Sequence, residues 1–558
     1  MATGHLPVLV VGAGPTGLAL ALTLLQNGIR TRIVEKEANR NPGQRGAGLQ
    51  PRTLEVFRFL GVLDDVLALA LPIKPRCDYK LPGGTEVLRI GRFGHAHLNK
   101  VEEITPARPY MHGVLLGQYN TEAILRKHIE RLGGTVEYNT ELRSLKQYPD
   151  FVEAELVTKV GDTEKTETVA SHWLVGSDGG RSAVRKQLGL AFLGETREEG
   201  QLVLGLVEVK GLGTEYWHSW GERGQDGLIL IPTEKPGFFS MVLTGNDVDL
   251  RSLAEDYDAL RQILRKRVDR TDLVFSAFEA VSHWRPNIRM VDKFGEGRVF
   301  VAGDAAHTHS PAGGQGLNSS VQDAFNIAWK LALAEKHVAS PSLVATYNEE
   351  RLPVIAAMLQ KSTLLFNAMR KGGEEGWKRG GDLQQLGVNY RWSSIVVDER
   401  TPKPEGPEEV NPYGDESDKS LRAGDRAPDA PALLPAVGAD TPTTLFNMFR
   451  PIHHTVLLFD LPAEETERVL GETKKFPQGL VKTVTIAPQG SPDAKAVGQS
   501  DHALIDSEGH AFAGYLVSPD KPTIVIVRPD GVVGGIVYGI DGFRKYFEAA
   551  FAALEQGL

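Results

Sequence analysis

The feature that most constrains the fold lies at the start of the chain. Val8–Val11 is a run of four apolar residues, and Gly12-Ala13-Gly14-Pro15-Thr16-Gly17 follows it directly. Residues 18–25 have helical composition and stop at Gly28, a residue type that ends helices by accepting a left-handed backbone. Residues 31–35 (TRIVE) read as a second short strand. A strand, tight turn, helix and strand within about thirty residues is a βαβ unit. In that setting Gly12 permits the turn, Gly14 lets the backbone approach a pyrophosphate, and Gly17 allows close helix–strand packing. The helix N-terminus presents unpaired N–H groups and a positive dipole end to that anion. Glu35 closes the second strand, where its carboxylate can accept hydrogen bonds from a ribose diol. The motif alone fits NAD and FAD equally.

Two later stretches share this strand–turn–helix grammar. Residues 174–182 read LVGSDGGRS: an apolar strand, a turn at Ser177-Asp178-Gly179, and a helix carrying Arg181, Arg185 and Lys186. By itself Asp178 reads as a residue satisfying local backbone N–H groups. Residues 303–320 read GDAAHTHSPAGGQGLNSS after the strand at 298–302. Behind them Leu317, Val321, Phe325, Ala328 and Ala332 keep helical spacing. Asp304, at a strand end, is placed to hold a sugar or ribityl hydroxyl. The His307-x-His309 pair has no third ligand at metal spacing, so no metal site is expected.

With 558 residues the chain exceeds one compact core, and two to four domains are expected. A net charge of −9 gives no footprint for nucleic acid, and no run of about 18 apolar residues predicts a membrane span. The N-terminus lacks the basic region of a secretion signal. The single cysteine, Cys77, excludes an intramolecular disulfide and a Cys-x-x-Cys centre, which fits a reducing cytoplasm.

Taken together, GAGPTG, SDGGRS and GDAAHTHSPAGGQGLN, in this order, resemble the single-component FAD-dependent aromatic hydroxylases, the class of p-hydroxybenzoate hydroxylase and phenol 2-monooxygenase. Residues 44–61 (QRGAGLQPRTLEVFRFLG) resemble that family's arginine-bearing FAD segment. The likeness covers about the first 390 residues. The tail resembles the thioredoxin-like C-terminal domain of the phenol hydroxylase branch, through an entry at 424–433, the VRPDG at 527–531 and the order of its elements. It contains no cysteine, so thiol–disulfide exchange is excluded there.

The resemblance implies an α/β fold: a Rossmann-like FAD-binding domain, an inserted antiparallel-sheet substrate domain, and the thioredoxin-like domain. The expected division is 1–190 with 285–397 for FAD, part of the substrate layer lying within 70–110. Residues 191–284 form the substrate domain, 398–423 a linker, and 424–558 the tail. FAD is the implied cofactor, NADPH or NADH a transient co-substrate, and the reduced flavin reacts with O₂ to a C4a-hydroperoxide that hydroxylates a phenolic or polyketide-like ring. A homodimer is implied on the same ground.

For the site, the resemblance places Gly12, Ala13, Gly14, Pro15, Thr16 and Gly17 at the phosphates, with Glu35 and Lys36 near the ribose. Asp304 binds the ribityl chain beside Gly303, and Gly314, Gly316, Leu317 and Asn318 line the flavin. Pro311 sits close to the ring where oxygen reacts, Arg45 and Gln118 help fix the flavin, and Asp178 faces the FAD/NAD(P)H side. Where the phenol hydroxylase branch has an aspartate beside the substrate, this chain has Ala47. Candidate pocket residues are Tyr216, His218, Trp220, Ile231, Phe239 and Met241, with His218 as a candidate base because imidazole titrates near neutrality. Two other readings stay open: an FAD-dependent reductase or dehydrogenase, and a non-catalytic flavoprotein.

Overall fold

The computed structural model describes residues 6–38, 43, 46–91, 103–222, 225–370, 381–401, 410–415, 417–437, 441–491, 500–518 and 521–552. Its helices are α1 (Pro15–Gln26), α2 (Pro51–Phe59), α3 (Leu63–Leu69), α4 (Gln118–Arg131), α5 (Ala183–Gln187), α6 (Leu250–Glu255), α7 (Tyr257–Val268), α8 (Gly316–Glu335), α9 (Thr346–Arg370), α10 (Ala463–Thr473), α11 (His510–Gly514) and α12 (Ile540–Ala550).

Val8–Val11 is central in a six-stranded sheet ordered Gly295–Glu296, Val299–Val301, Trp173–Gly176, Val8–Val11, Thr31–Val34, Val136–Glu137. All neighbours are parallel except the first pair. Parallel strands buried on both faces read as continuous apolar runs, and Val8, Leu9 and Val10 are fully buried. The three glycine-bearing turns of the sequence all leave the same, C-terminal edge of this sheet, where ligands of such sheets bind.

A seven-stranded sheet runs Val274–Trp284, Leu202–Lys210, Phe238–Leu243, Leu228–Pro232, Trp217–Trp220, Arg76–Tyr79, Val87–Gly91. Only the pair Trp217–Trp220 and Arg76–Tyr79 is parallel. One face carries Val203, Val207, Leu228, Leu230, Phe239, Met241 and Leu243, packed with Leu253, Leu260 and Leu264 of α6 and α7. The strand at Val152–Val160 pairs with Thr140–Gln147 and Thr163–Ser171 in a separate antiparallel sheet.

The C-terminal sheet is ordered Val397–Asp398, Val533–Val537, Thr523–Val527, His454–Phe459, Val481–Pro488, His502–Asp506, Leu433–Pro435. The segment expected as a linker is part of this body: Val397–Asp398 is its edge strand, and Tyr413, Leu421 and Ala423 are buried. Residues 402–409 and 416 lie outside the described ones. Proline and acidic residues made this stretch read as solvated, yet short buried anchors hold it down. α9 has the length and composition to cross a membrane. Its Glu350 and Arg351 are wholly buried in ion pairs, and Val354, Ile355 and Met358 are core residues, as in a core helix of a globular body.

His454 stands between this sheet and α8. It is fully buried, neither ring nitrogen has a hydrogen-bond partner, and its ring lies 5.4–5.8 Å from Trp329, Tyr546, Phe547 and Phe551. Burial pushes its pKa down to about 3 and that of neighbouring His453 to about 4, against 6.5 when unfolded. Both are therefore neutral in the fold, and between pH 6.5 and about 4 the unfolded chain binds more protons. Stability is full above pH 6.5 and falls as pH drops. At pH 5 the loss is about 2 kcal/mol per histidine, about 4 kcal/mol together. Urea unfolding at pH 7.5 and 5 checks this; His454→Phe should flatten about half of the dependence.

Candidate active site

The 12–17 turn is built by contacts that forbid side chains at two positions and leave a third open. Gly12 has φ +101°, and a Cβ there would lie against the Ser177 carbonyl. The Ser177 hydroxyl donates to the Val11 and Gly12 carbonyls (3.0 and 2.9 Å), tying this turn to the Asp178 turn. A Cβ on Gly17 would overlap the Gly12 carbonyl. At Gly14 a Cβ would meet nothing within 4 Å. That emptiness is what close approach of a ligand to the backbone requires. Pro15 starts α1 with no side-chain cap on the helix end, and Glu35 Oε2 accepts the Ala13 N–H at 2.8 Å. Lys36 is exposed and lies 3.9 Å from Glu37.

The Asp304 turn is docked on this one. Gly303 has φ +61°, and a Cβ would sit 2.5 Å from Thr16 Oγ1 on α1. Its N–H donates to Asp323 Oδ2 (3.1 Å), which is also 2.6 Å from His307 Nε2. Asp323 Oδ1 accepts from Arg351 Nε at 2.7 Å. Burial alone would raise the Asp323 pKa, but Arg351 and His307 hold its carboxyl below the usual range. Asp304 is exposed between buried Gly303 and Ala305, its carboxylate turned to the open side. His307 thus acts as a buried brace. His309 donates its Nδ1–H to the Ser310 carbonyl and lies against Gly316; burial lowers its pKa, so the ring beside the α8 end is neutral.

Pro311, which is exposed, leads through the Ala312–Gly314 turn into α8, whose N-terminus has no side-chain cap. A 20-residue helix offers there free N–H groups and a positive dipole end. Asn318 is fully buried, and its side chain is spent on structure: it accepts the Gln50 N–H (2.8 Å) and donates to the Gly48 and Gly314 carbonyls (2.8 and 2.6 Å). Only backbone groups remain there for a ligand. Gln118, at the start of α4, converges with Leu317 across Gly46, where a Cβ would lie 3.3 Å from Gln118 Oε1 and 3.0 Å from Leu317 Cδ1. Ala47 lies in the same strand region, its carbonyl accepting the Leu116 N–H. Arg45 lies outside the described residues. Asp178 Oδ2 accepts the Ala183 and Val184 N–H groups (2.7 and 3.3 Å), so it caps α5 as the local reading expected; its buried Oδ1 has no partner.

These features fit FAD: an uncapped α1 behind the bare Gly14, Glu35 beside it, exposed Asp304, and the uncapped α8 end flanked by Pro311 and Gln118. Asp323, Arg351 and Gln50 escaped the sequence reading because nothing in their spacing distinguishes a brace from a surface residue.

The candidate pocket residues divide by strand parity. His218, Trp220, Phe239 and Met241 are at most 3% exposed and lie on the face covered by α6 and α7. His218 is engaged at both nitrogens, by the Tyr79 hydroxyl (2.7 Å) and the Gly213 carbonyl (2.9 Å), and burial lowers its pKa. It is a core residue and not a base for substrate. Tyr216 packs edge-on to it. Ile231 points to the opposite face with Ile229, Ser240 and Val242. That face also carries Trp284, registered with Leu202 and 6.4 Å from Phe366 of α9. Four residues earlier on α9, the Ser362 carbonyl accepts the Ser310 hydroxyl (3.2 Å), next to Pro311. At the other end, Glu234 accepts from the Gly117 N–H (2.9 Å) and the Asn120 side chain (2.6 Å), beside Gln118. These contacts tie the sheet bearing that half-buried face to the segments beside Pro311 and Gln118.

Comparison with known proteins agrees with this geometry. Residues 5–362 match the family model described as FAD binding domain. A flavin-dependent monooxygenase of Mycobacteroides abscessus is 37% identical over 465 residues, covering 82% of this chain and 89% of that protein. Pentachlorophenol 4-monooxygenase of Sphingobium chlorophenolicum is 29% identical over 511 residues, 87% of this chain and 86% of its own. Among solved structures, the flavin-dependent monooxygenase PieE in complex with FAD and substrate superposes with TM-score 0.80 at 24% identity, over 98% of this chain and 99% of that one. The chain belongs to the FAD-dependent monooxygenases built on this FAD-binding domain.

Proposed function

We propose that this enzyme hydroxylates a phenolic or polyketide-like aromatic compound, with NAD(P)H and O₂ as co-substrates. The observation that carries the reading is the half-buried sheet face of Ile229, Ile231, Ser240 and Val242, opposite the face that α6 and α7 cover. The printed names of relatives support it, including pentachlorophenol 4-monooxygenase and 6-methylpretetramide 4-monooxygenase of Streptomyces rimosus, 33% identical over 359 residues.

FAD, when bound, supplies hydride acceptance from NAD(P)H and activation of O₂. The chain's part is to hold and seal. Gly14 and α1 would take the pyrophosphate, Glu35 the ribose, and Asp304 the ribityl chain. The free N–H groups at Gly316–Asn318 would stabilise negative charge on the bound flavin. The Ile229, Ile231 and Val242 side chains exclude water from the reacting ring. The carboxylates that register on that face, Asp78, Glu208 and Glu279, are engaged by Arg76, Ser276 and Lys235, so we infer that the substrate is electron-rich as bound or arrives ionised. We further propose the domain division 1–190 with 285–396, part of the substrate layer lying within 70–110, then 191–284, and a thioredoxin-like C-terminal body that takes in 397–423 along with 424–558, together with a homodimer and a cytoplasmic setting.

A panel of phenols and polycyclic aromatics, read by stimulated NAD(P)H oxidation, tests the function; product formed without O₂ would favour a dehydrogenase. Ile231→Trp, filling that half-buried face, should raise KM for a turned-over aromatic about tenfold, a loss of about 1.4 kcal/mol, with FAD affinity unchanged. An unchanged KM would move the substrate elsewhere.

A further inference from the structure

The C-terminal body is joined to the flavin-bearing part through buried charge. Arg528, fully buried in the VRPDG turn, donates to Glu350 on α9 (2.7 and 3.0 Å) and to Asp530 (3.0 and 2.5 Å). Glu350 also accepts from Lys330 (2.8 Å) and Asn326 (2.7 Å) of α8 and from Ser393 (2.7 Å). The next residue on α9, Arg351, turns the other way: it holds Asp323, the Tyr390 hydroxyl (2.9 Å) and the Ser319 carbonyl (3.2 Å) in the first turn of α8. Asp323 in turn fixes the Gly303 N–H and His307. The same VRPDG turn grips α2: Arg52 donates to the Asp530 carbonyl (2.9 Å), and a Cβ on Gly531 would lie 2.5 Å from Phe59. α2 begins at Pro51, directly after Gln50, which is bound to Asn318 and to the Gly313 carbonyl (3.0 Å). Two unbroken routes thus run from one turn of the C-terminal body to Asp304 and to the α8 end.

We propose that Arg528 is a positioning residue for the flavin site, and that the C-terminal body sets the Asp304 turn and the α8 N-terminus through the adjacent pair Glu350–Arg351. The proposal rests on the flavin reading above. Nothing in it requires thiol chemistry of the tail, which has no cysteine.

The test compares full-length apo protein of wild type, Arg528→Met, Arg528→Lys and Val469→Ala, each well below its own melting temperature. Val469 is a fully buried residue of α10, away from both routes. FAD affinity is read by flavin fluorescence, and the environment of bound flavin by its visible spectrum. Arg528→Met should weaken FAD about tenfold and shift the spectrum, a coupling in the ordinary range for residues that act at a distance. Arg528→Lys, which keeps the charge but not the fork, should fall between Met and wild type. Val469→Ala should lose melting temperature and keep both readouts. If Arg528→Met does not fold, Arg528→Lys alone must still weaken FAD at least about threefold. Wild-type FAD affinity in both Arg528 variants, or equal weakening in Val469→Ala, overturns the proposal. Wild type that takes up no FAD would instead overturn the flavin reading beneath it.

Discussion

Gly14→Ala should fold and melt like wild type and bind FAD on the order of a hundredfold more weakly, about 2.7 kcal/mol. The two halves of that expectation come from one observation. Gly14 has φ −73° and ψ −178°, a backbone any residue adopts, and a Cβ there meets nothing within 4 Å. The fold therefore has no use for a bare glycine at this position. The space beside it lies at the uncapped start of α1, where a pyrophosphate would approach the backbone too closely to tolerate a methyl group. Gly17→Ala makes the contrast: its Cβ would overlap the Gly12 carbonyl, so both stability and FAD binding should fall. Isothermal titration with FAD and a thermal melt of each apo variant separate the two. If Gly14→Ala bound FAD as wild type does, the phosphates would have to lie elsewhere.

The second large effect is expected from Glu350→Ala. Its carboxylate is wholly buried against Arg528, Lys330, Asn326 and Ser393, and despite burial the paired cations hold its pKa far below the usual carboxylate range. Removing it leaves two buried cations facing each other. Breaking such a pair from one side destabilises by about 3–5 kcal/mol, because Lys330 stays buried without a carboxylate and Arg528 keeps only Asp530. Lys330, whose pKa burial has already lowered to about 8, would shed its proton in response. Urea unfolding should show a loss of about 4 kcal/mol, and the double variant Glu350→Leu/Arg528→Met should recover part of it. A loss below about 1 kcal/mol would mean that the seam is solvated and carries little.

How much of this was legible in the sequence depended on what each residue does for the backbone. Gly12, Gly14, Gly17 and Gly303 were readable because turns and close approaches demand glycine, and no neighbour is needed to see it. The apolar parallel strands were readable for the same local reason. The substrate wall was not, because alternation shows that a strand has two faces and not which face a helix covers. His218, Trp220, Phe239 and Met241 looked like pocket residues until α6 and α7 claimed their side. Ile231 and Phe239, proposed together, lie on opposite faces, since Ile231 registers with Ser240. The buried seam was hidden for another reason. Glu349-Glu350-Arg351 in a helix, or Arg528-Pro529-Asp530-Gly531 in a turn, reads as solvated surface, and only tertiary packing places Glu350, Arg351 and Arg528 out of water. The 398–423 stretch misleads in the same direction: its composition is that of a linker, while Tyr413, Leu421 and Ala423 anchor it.

With FAD bound and NAD(P)H supplied, an aromatic ring on the Ile229–Val242 face would gain an oxygen atom from O₂. The most direct measurement is turnover of a stimulating phenol under ¹⁸O₂ with FAD and NAD(P)H, with the product read by mass spectrometry. The product should carry one ¹⁸O atom from O₂, and Gly14→Ala should lose that product. Oxidised product that forms without O₂, or that carries oxygen only from water, would contradict it.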